Sequence, residues 1–401
     1  MASNGIKDRV AIVGMSCTRF AEHWDKSVED LVIDSATAAA VAAKTDLADI
    51  DAFWVGTAAS GASGLTLSRP LRLPYKPVTR LENLCATGSE SLRNACYAVA
   101  SGAYDIAMAV GVEKLKDTGN SGLGGAGIPD AADDSRWESS APANFSILAE
   151  GYARAHDLSV AQLREVLTHI ARKNHYNGAR NPLAQFRKEI SAEAVAKSPP
   201  IAGMLGVLDC SGVADGAAAA VVVRAEDAYR YTDKPIFVKG LSLVAGPSAG
   251  FIDHNHDFAR IPEVIAAAED TYRQAGIEIP AQQITIAEVH DCFTPTELVL
   301  MEDLGFSERG TAWRDVLDGA FDLDGRLPVN PSGGLKAFGH PVGASGLRML
   351  YECWLQLRGE AEDGRQVPKA RDDGALALTN NVGGAPGDCV SFVGIFGNQP
   401  G

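Results

Sequence analysis

Two kinds of pattern alternate along this chain. One is a short unbroken apolar run, as in Val10-Ala11-Ile12-Val13-Gly14 and Ile236-Phe237-Val238-Lys239-Gly240. Such runs predict strands buried on both faces. The other is a longer Ala-rich segment, from about Val28 to Ala43 and from about Glu263 to Ala275, which predicts helices. A further strand follows each helix, near Asp51 to Gly56 and near Ile284 to Val289. Late in each half a glycine-rich turn runs into another strand, at Asp215 to Val223 and at Gly383 to Val393. Alternating strands and helices predict an α/β fold with largely parallel sheets. The matched order of four elements predicts a duplicated, pseudo-twofold pair of similar halves, residues 1–114 with 206–230 and residues 231–401. Residues 115–205 fit neither half and read as an insertion, with a Gly-rich run from Gly119 to Gly127 and helix-like pieces. Its segment Ala171-Arg172-Lys173-Asn174-His175-Tyr176-Asn177-Gly178-Ala179-Arg180-Asn181-Pro182 is basic in an acidic protein. It reads equally as a phosphate contact and as a solvated basic face.

Charge and composition narrow the function classes. The net charge of −15 argues against a broad nucleic-acid surface. No stretch of about 18 uncharged apolar residues occurs, so no membrane-spanning helix is expected. The N-terminal Met1-Ala2-Ser3-Asn4-Gly5-Ile6-Lys7-Asp8-Arg9 lacks an apolar signal region. The C-terminal Asn398-Gln399-Pro400-Gly401 matches no common retention or peroxisomal signal. The seven cysteines are scattered and form no CxxC pair, so a disulfide framework or zinc ribbon is not expected and a reducing cytoplasm fits. A dinucleotide-binding dehydrogenase fails because Val13-Gly14-Met15-Ser16-Cys17 lacks the GxGxxG spacing.

One cysteine stands out. Cys85 lies in Glu82-Asn83-Leu84-Cys85-Ala86-Thr87-Gly88-Ser89. From Ser89 on, Leu92, Ala95, Cys96 and Val99 fall at i, i+3, i+4, i+7, one face of a helix. Cys85 is therefore expected at a helix N-terminus, where the macrodipole favours a thiolate, the nucleophilic form. Three more segments carry chemistry. His290-Asp291-Cys292-Phe293 directly follows a buried strand, where catalytic groups collect in α/β folds. Asn330-Pro331-Ser332-Gly333-Gly334 leads to Gly339-His340-Pro341, a rigid glycine-flanked setting for His340. Thr379-Asn380-Asn381-Val382-Gly383-Gly384 reads as a turn able to aim N–H groups at an oxyanion. Singly these are weak; together they supply a nucleophile, candidate bases and N–H donors, the inventory for acyl transfer.

Over essentially its whole length the chain resembles the thiolases, and more closely the SCP2-thiolase or lipid-transfer-protein branch. The Cys85 segment resembles the family's nucleophile motif and Gly339-His340-Pro341 its GHP motif. His290-Asp291-Cys292-Phe293 resembles the signature that separates this branch from most thiolases. Ser248-Ala249-Gly250 resembles a segment lining the pantetheine channel, and the loop from His175 to Pro182 resembles the family's loop domain. The resemblance implies a five-layered α-β-α-β-α fold with an inserted loop domain. It implies coenzyme A thioesters as substrates, no metal or redox cofactor, and a homodimer or dimer of dimers. One departure matters: most thiolases carry a second catalytic cysteine in a Cys-x-Gly motif, and Asn381-Val382-Gly383 occupies that place here. In the SCP2-type branch the HDCF cysteine, here Cys292, is thought to replace it.

The resemblance implies a sequence of steps. His340 takes the proton of Cys85, and the thiolate attacks an acyl-CoA carbonyl. N–H groups of Cys85 and Gly383 hold the oxyanion, each donor contributing about 3 kcal/mol. Cys292 serves as acid/base at the α-carbon, with His290 and His340 on the enolate oxygen. Two rivals remain. Some thiolase-like proteins act with a small OB-fold, zinc-ribbon partner as acyltransferases or as aldolases on CoA-linked substrates; a retro-aldolase needs no acyl-cysteine. The other rival is a non-catalytic acyl-CoA or lipid-binding scaffold.

Overall fold

The computed structural model describes residues 5–118 and 140–401. The run Gly119–Gly127 lies outside the described residues. In chain order the strands are β1 (Val10–Cys17), β2 (Ala52–Gly56), β3 (Val78–Leu81), β4 (Ile106–Glu113), β5 (Pro200–Ala202), β6 (Leu205–Gly206), β7 (Gly216–Arg224), β8 (Ile236–Ala245), β9 (Ile286–Glu288), β10 (Leu376–Ala385) and β11 (Asp388–Gly397). Nine of them form one sheet in the order β3-β2-β4-β7-β1-β8-β11-β10-β9, and β5 and β6 make a separate ribbon.

The duplication is visible in this order. Running inward from the two sides, β2-β4-β7-β1 is matched by β9-β10-β11-β8. The sense of each pair matches as well: parallel for β2/β4 and β9/β10, antiparallel for the two pairs that follow in each half. The halves meet where β1 and β8 pair antiparallel at Ala11–Phe237 and Ile12–Ile236. Beside β9, Val329 makes a parallel bridge to Ala287, the place that β3 takes beside β2.

The expectation of largely parallel sheets is corrected. Among the described residues only β2/β3, β2/β4 and β9/β10 are parallel in the large sheet. For one pair the connection requires this: β10 passes to β11 through Pro386 and Gly387, too short for the crossover that parallel strands need.

Side-chain alternation on the buried strands fills three layers. In β1, Ala11 and Val13 face the Val28–Ala42 helix, packing with Ala36, Ala39 and Val221. Val10, Ile12 and Met15 face inward, toward a core shared with Leu92, Val99, Leu347, Leu350 and Phe392. That inner layer holds the Thr87–Ala100 and Ser345–Arg358 helices. The other face of β11 turns Val393 and Ile395 outward to Val264 and Ala268 of the Pro262–Ala275 helix. The layers run helix, sheet, helices, sheet, helix. Local signals agree at the ends: Ser27 and Asp30 form a capping box on the first helix, a device whose cap residue stabilises by about 1 kcal/mol. The described part of the insertion adds helices Ala141–Ala155 and Val160–Ala179, which bury Leu148, Tyr152, Leu163 and Leu167 against Phe293 and Leu298.

Candidate active site

Two loops from the two halves converge. The first joins β3 to the Thr87–Ala100 helix and carries Cys85. Leu84 sits in the left-handed region at φ 51°, a conformation that costs a non-glycine residue about 1–3 kcal/mol. Thr87 holds it there: its Oγ1 donates to the Leu84 carbonyl at 2.6 Å and accepts from the Asn83 N–H at 2.8 Å. Cys85 is half-buried at the tip. The expected thiolate is not what this setting favours. Burial first, then the Glu113 and Glu82 carboxylates, push the Cys85 thiol up to about 12. Cys85 precedes the helix rather than standing in its first turn, so desolvation outweighs the dipole. Cys85 therefore rests as a thiol, which needs a base.

The base stands opposite. The second loop runs from the Gly334–Phe338 helix to the Ser345–Arg358 helix and carries His340, fully buried. It lies directly on the first half. A Cβ on Gly111 of β4 would come within 2.3 Å of the Gly343 carbonyl, so only glycine lets the loop approach this closely. The Gly343 N–H donates to the buried Glu113 carboxylate at 3.0 Å. His340 Nδ1 lies 2.7 Å from Ser345 Oγ, and Ser345 Oγ itself donates to the Pro341 carbonyl at 2.9 Å. With its own proton committed, Ser345 can only accept, so Nδ1 carries the hydrogen and Nε2 presents a lone pair. Nε2 is buried and has no hydrogen-bond partner. Burial, then the Arg348 charge, lowers His340 to about 3, so it rests neutral.

His290 follows β9 directly and is also fully buried. Neither of its ring nitrogens has a partner, and its ring meets that of His340 edge-on at 5.4 Å. Phe145, from the insertion, covers it at 6.4 Å. Cys85 Sγ and one ring nitrogen from each of His290 and His340 all lie within 4.8 Å of one another. Cys292 stands outside that mutual cluster, yet near enough for Cys85 to act on its charge. Burial, more than Cys85 or Asp291, raises the Cys292 thiol.

A buried polar frame holds these loops. Arg348 donates to Glu288 at 2.6 Å and to Ser332 at 2.6 Å, and lies over the Phe338 ring at 4.6 Å. Asp291 accepts from Leu335 N and from Asn174 Nδ2, tying the His290 strand end to the His340 loop and to the insertion. Lys173 and His175 of the basic segment join this frame, while Arg180 makes a surface pair. Lys173 is buried against Glu297 at 2.7 Å, His175 bonds Lys336 at 3.0 Å, and Arg180 pairs with Glu189.

The expected turn from Thr379 to Gly384 is instead strand, part of β10. Gly383 lies against the nucleophile loop: a Cβ there would meet the Asn83 carbonyl at 2.4 Å and the Ala86 nitrogen at 3.1 Å. Asn381, in the place of the missing cysteine, accepts from Ser89 Oγ at 2.6 Å and donates toward Met349 Sδ at 3.1 Å. Its amide thus ties β10 to both inner helices. Ser248-Ala249-Gly250 sits at the tip of the β10–β11 hairpin: Ser248 bonds Asp388 at 2.6 Å and Gly250 N bonds Gly387 O at 2.9 Å. Sequence reasoning missed Ser345, Phe145 and Glu113. Ser345 opens the helix that follows His340, and a serine at a helix start reads as no more than a cap.

Comparisons with known proteins give the family. The thiolase N-terminal domain model matches residues 10–226, and the thiolase C-terminal domain-like model matches residues 248–393. The chain belongs to the thiolase family. It is 38% identical over 391 residues to an acetyl-CoA acetyltransferase of Methanothermobacter thermautotrophicus, covering 96% of this chain and 98% of that one. It is 29% identical over 402 residues to the non-specific lipid-transfer protein-like 2 of Caenorhabditis elegans, covering 94% of each. Among solved structures, the Ltp2-ChsH2(DUF35) aldolase superposes with a TM-score of 0.83 at 23% identity over 98% of both chains, a likeness of fold. The enzyme class is that of the thiolase-type acyltransferases, in the SCP2-like branch that the motifs implied. Among the described residues no helix is long and apolar enough to cross a membrane.

Proposed function

We propose that this enzyme transfers acyl groups between coenzyme A thioesters through an acyl-Cys85 intermediate, making or thiolytically cleaving a 3-ketoacyl-CoA. The observation that carries the reading is Cys85 beside His340, a histidine whose Nδ1 is fixed by Ser345 and whose Nε2 is free. Because the thiol is raised and the imidazole lowered, a free ion pair is disfavoured. Proton transfer from Cys85 to His340 accompanies attack on the thioester carbonyl rather than preceding it. The tetrahedral oxyanion is held by the N–H groups of Cys85 and Gly383. His340 then returns the proton to the departing CoA thiolate. In the carbon–carbon step of cleavage the Cys292 thiol gives its proton to the α-carbon of the departing enolate and is reprotonated from His340; synthesis reverses both transfers, and His290 with His340 supports the enolate oxygen. Ser248, Ala249 and Gly250 line the approach of the pantetheine arm. The archaeal relative's name favours acetyl-CoA and acetoacetyl-CoA as first substrates to try. A homodimer or dimer of dimers working in the cytoplasm belongs to the same proposal.

The test separates the two half-reactions. Cys292→Ala is expected to keep exchange of label between acetyl-CoA and free CoA while losing acetoacetyl-CoA thiolysis. Full thiolysis by that variant would remove Cys292 from the acid/base role. A second reading, partner-dependent aldol cleavage, draws on Asn381 in place of a thiol and on the aldolase likeness. It predicts carbon–carbon cleavage without any acyl-Cys85, and only with a small partner protein added.

A further inference from the structure

The catalytic cluster also has the composition of a soft-metal site. Cys85 Sγ and one nitrogen of each histidine lie within 4.8 Å of one another, and thiolate with two imidazoles is a set that zinc accepts. Both histidines are fully buried, and His290 Nδ1, His290 Nε2 and His340 Nε2 lack hydrogen-bond partners. A buried neutral imidazole with no partner has a lone pair to give to a cation, and nothing competes for it. The Ser345 contact holds His340 in the tautomer a metal ligand needs, with Nδ1 protonated and tied to an oxygen.

We infer that Cys85, His290 and His340 form an inhibitory site for Zn²⁺ or Cd²⁺, at which the metal occupies the catalytic centre and excludes the acyl group. Binding displaces one proton, from the Cys85 thiol, as the metal–sulfur bond forms. The metal's fourth position is left to water or to an incoming CoA thiol. Zn–S near 2.3 Å and Zn–N near 2.0–2.1 Å in a tetrahedron bring ligand atoms to about 3.3–3.6 Å apart, so the side chains close in slightly. Glu113 and Glu82, whose charges oppose a thiolate, favour the dication; Arg348 opposes it. Cys292 lies outside the set and remains a thiol.

The inference rests on the geometry of the active-site reading but not on turnover, and a binding readout keeps the two apart. Metal-free protein would be titrated with Cd²⁺ while thiolate-to-metal charge-transfer absorption is followed in the near ultraviolet. Wild type is expected to bind one equivalent with a charge-transfer band. Cys85→Ser should lose the band, and His290→Asn should weaken binding at least tenfold. Circular dichroism checks that the variants are folded. Pre-acylation of wild type by acetyl-CoA should block binding, and a chelator should restore activity. No band in wild type, or a band retained in Cys85→Ser, overturns the metal site. An enzyme that is acylated by acetyl-CoA yet takes no metal would overturn this inference and leave the acyltransferase standing.

Discussion

The two halves of the chain repeat one topology and put different chemistry on it. In each, a parallel strand position leads through a loop into a helix of the inner layer: β3 through Cys85 to Thr87–Ala100, and Val329 through His340 to Ser345–Arg358. Among the described residues the first half contributes the nucleophile and no histidine to the cluster; the second contributes His290 and His340, with Cys292 beside it. Duplication thus delivers two loops to one point, and divergence of the loops divides nucleophile from base. The first loop stores strain at Leu84, and the second is packed without clearance against Gly111.

This division can be broken from either side. His340→Asn should slow acylation of Cys85 by about 10²–10⁴-fold, the usual contribution of a positioned base, as read in single-turnover acylation. A loss below tenfold would place the base elsewhere. Cys292→Ala should lower carbon–carbon exchange by a similar factor, about 10²–10⁴, while acylation changes by less than about twofold.

A pH profile sharpens the first half's role. With Cys85 raised from 9.0 to about 12, its thiolate fraction near neutral pH is about a thousandfold below that of an ordinary thiol. Iodoacetamide labelling of Cys85, followed by peptide mass spectrometry, should be slow at pH 7. It should climb about tenfold per unit up to pH 10 without levelling. A plateau near pH 9 would mean that burial does not control this thiol.

The frame of the second half has its own test. Glu288→Gln removes the partner of fully buried Arg348 and should destabilise by about 3–5 kcal/mol in chemical denaturation. The smallest effect is expected at Ser345. Ser345→Ala should cost about tenfold in acylation, through loss of the fixed His340 tautomer, with Ser345→Thr restoring most of it.

Much of this was legible in the sequence because it lies in periodicity. The runs at Val10 and Ile236 are strands, and Leu92, Ala95, Cys96 and Val99 form a buried helix face, as their spacing predicts. Cys85, His290 and His340 were legible as separate motifs, but their meeting depends on long-range packing that no local pattern records. Antiparallel pairing was hidden because strand polarity follows from connections, and Gly383-Gly384 read as a turn until pairing with β11 made it strand. The thiolate expectation failed because a helix-start argument sees the dipole and not the burial of Cys85. Ser345 was invisible as a partner: a serine at a helix start gives no sign that its hydroxyl accepts from His340.

The most direct measurement is intact-protein mass after brief mixing with acetoacetyl-CoA, on wild type and on Cys85→Ala. An added acetyl mass on wild type alone is the expected result and makes Cys85 the nucleophile. The absence of an adduct on wild type across acetyl-, acetoacetyl- and longer acyl-CoAs, or an equal adduct on Cys85→Ala, would contradict acyl transfer through this residue.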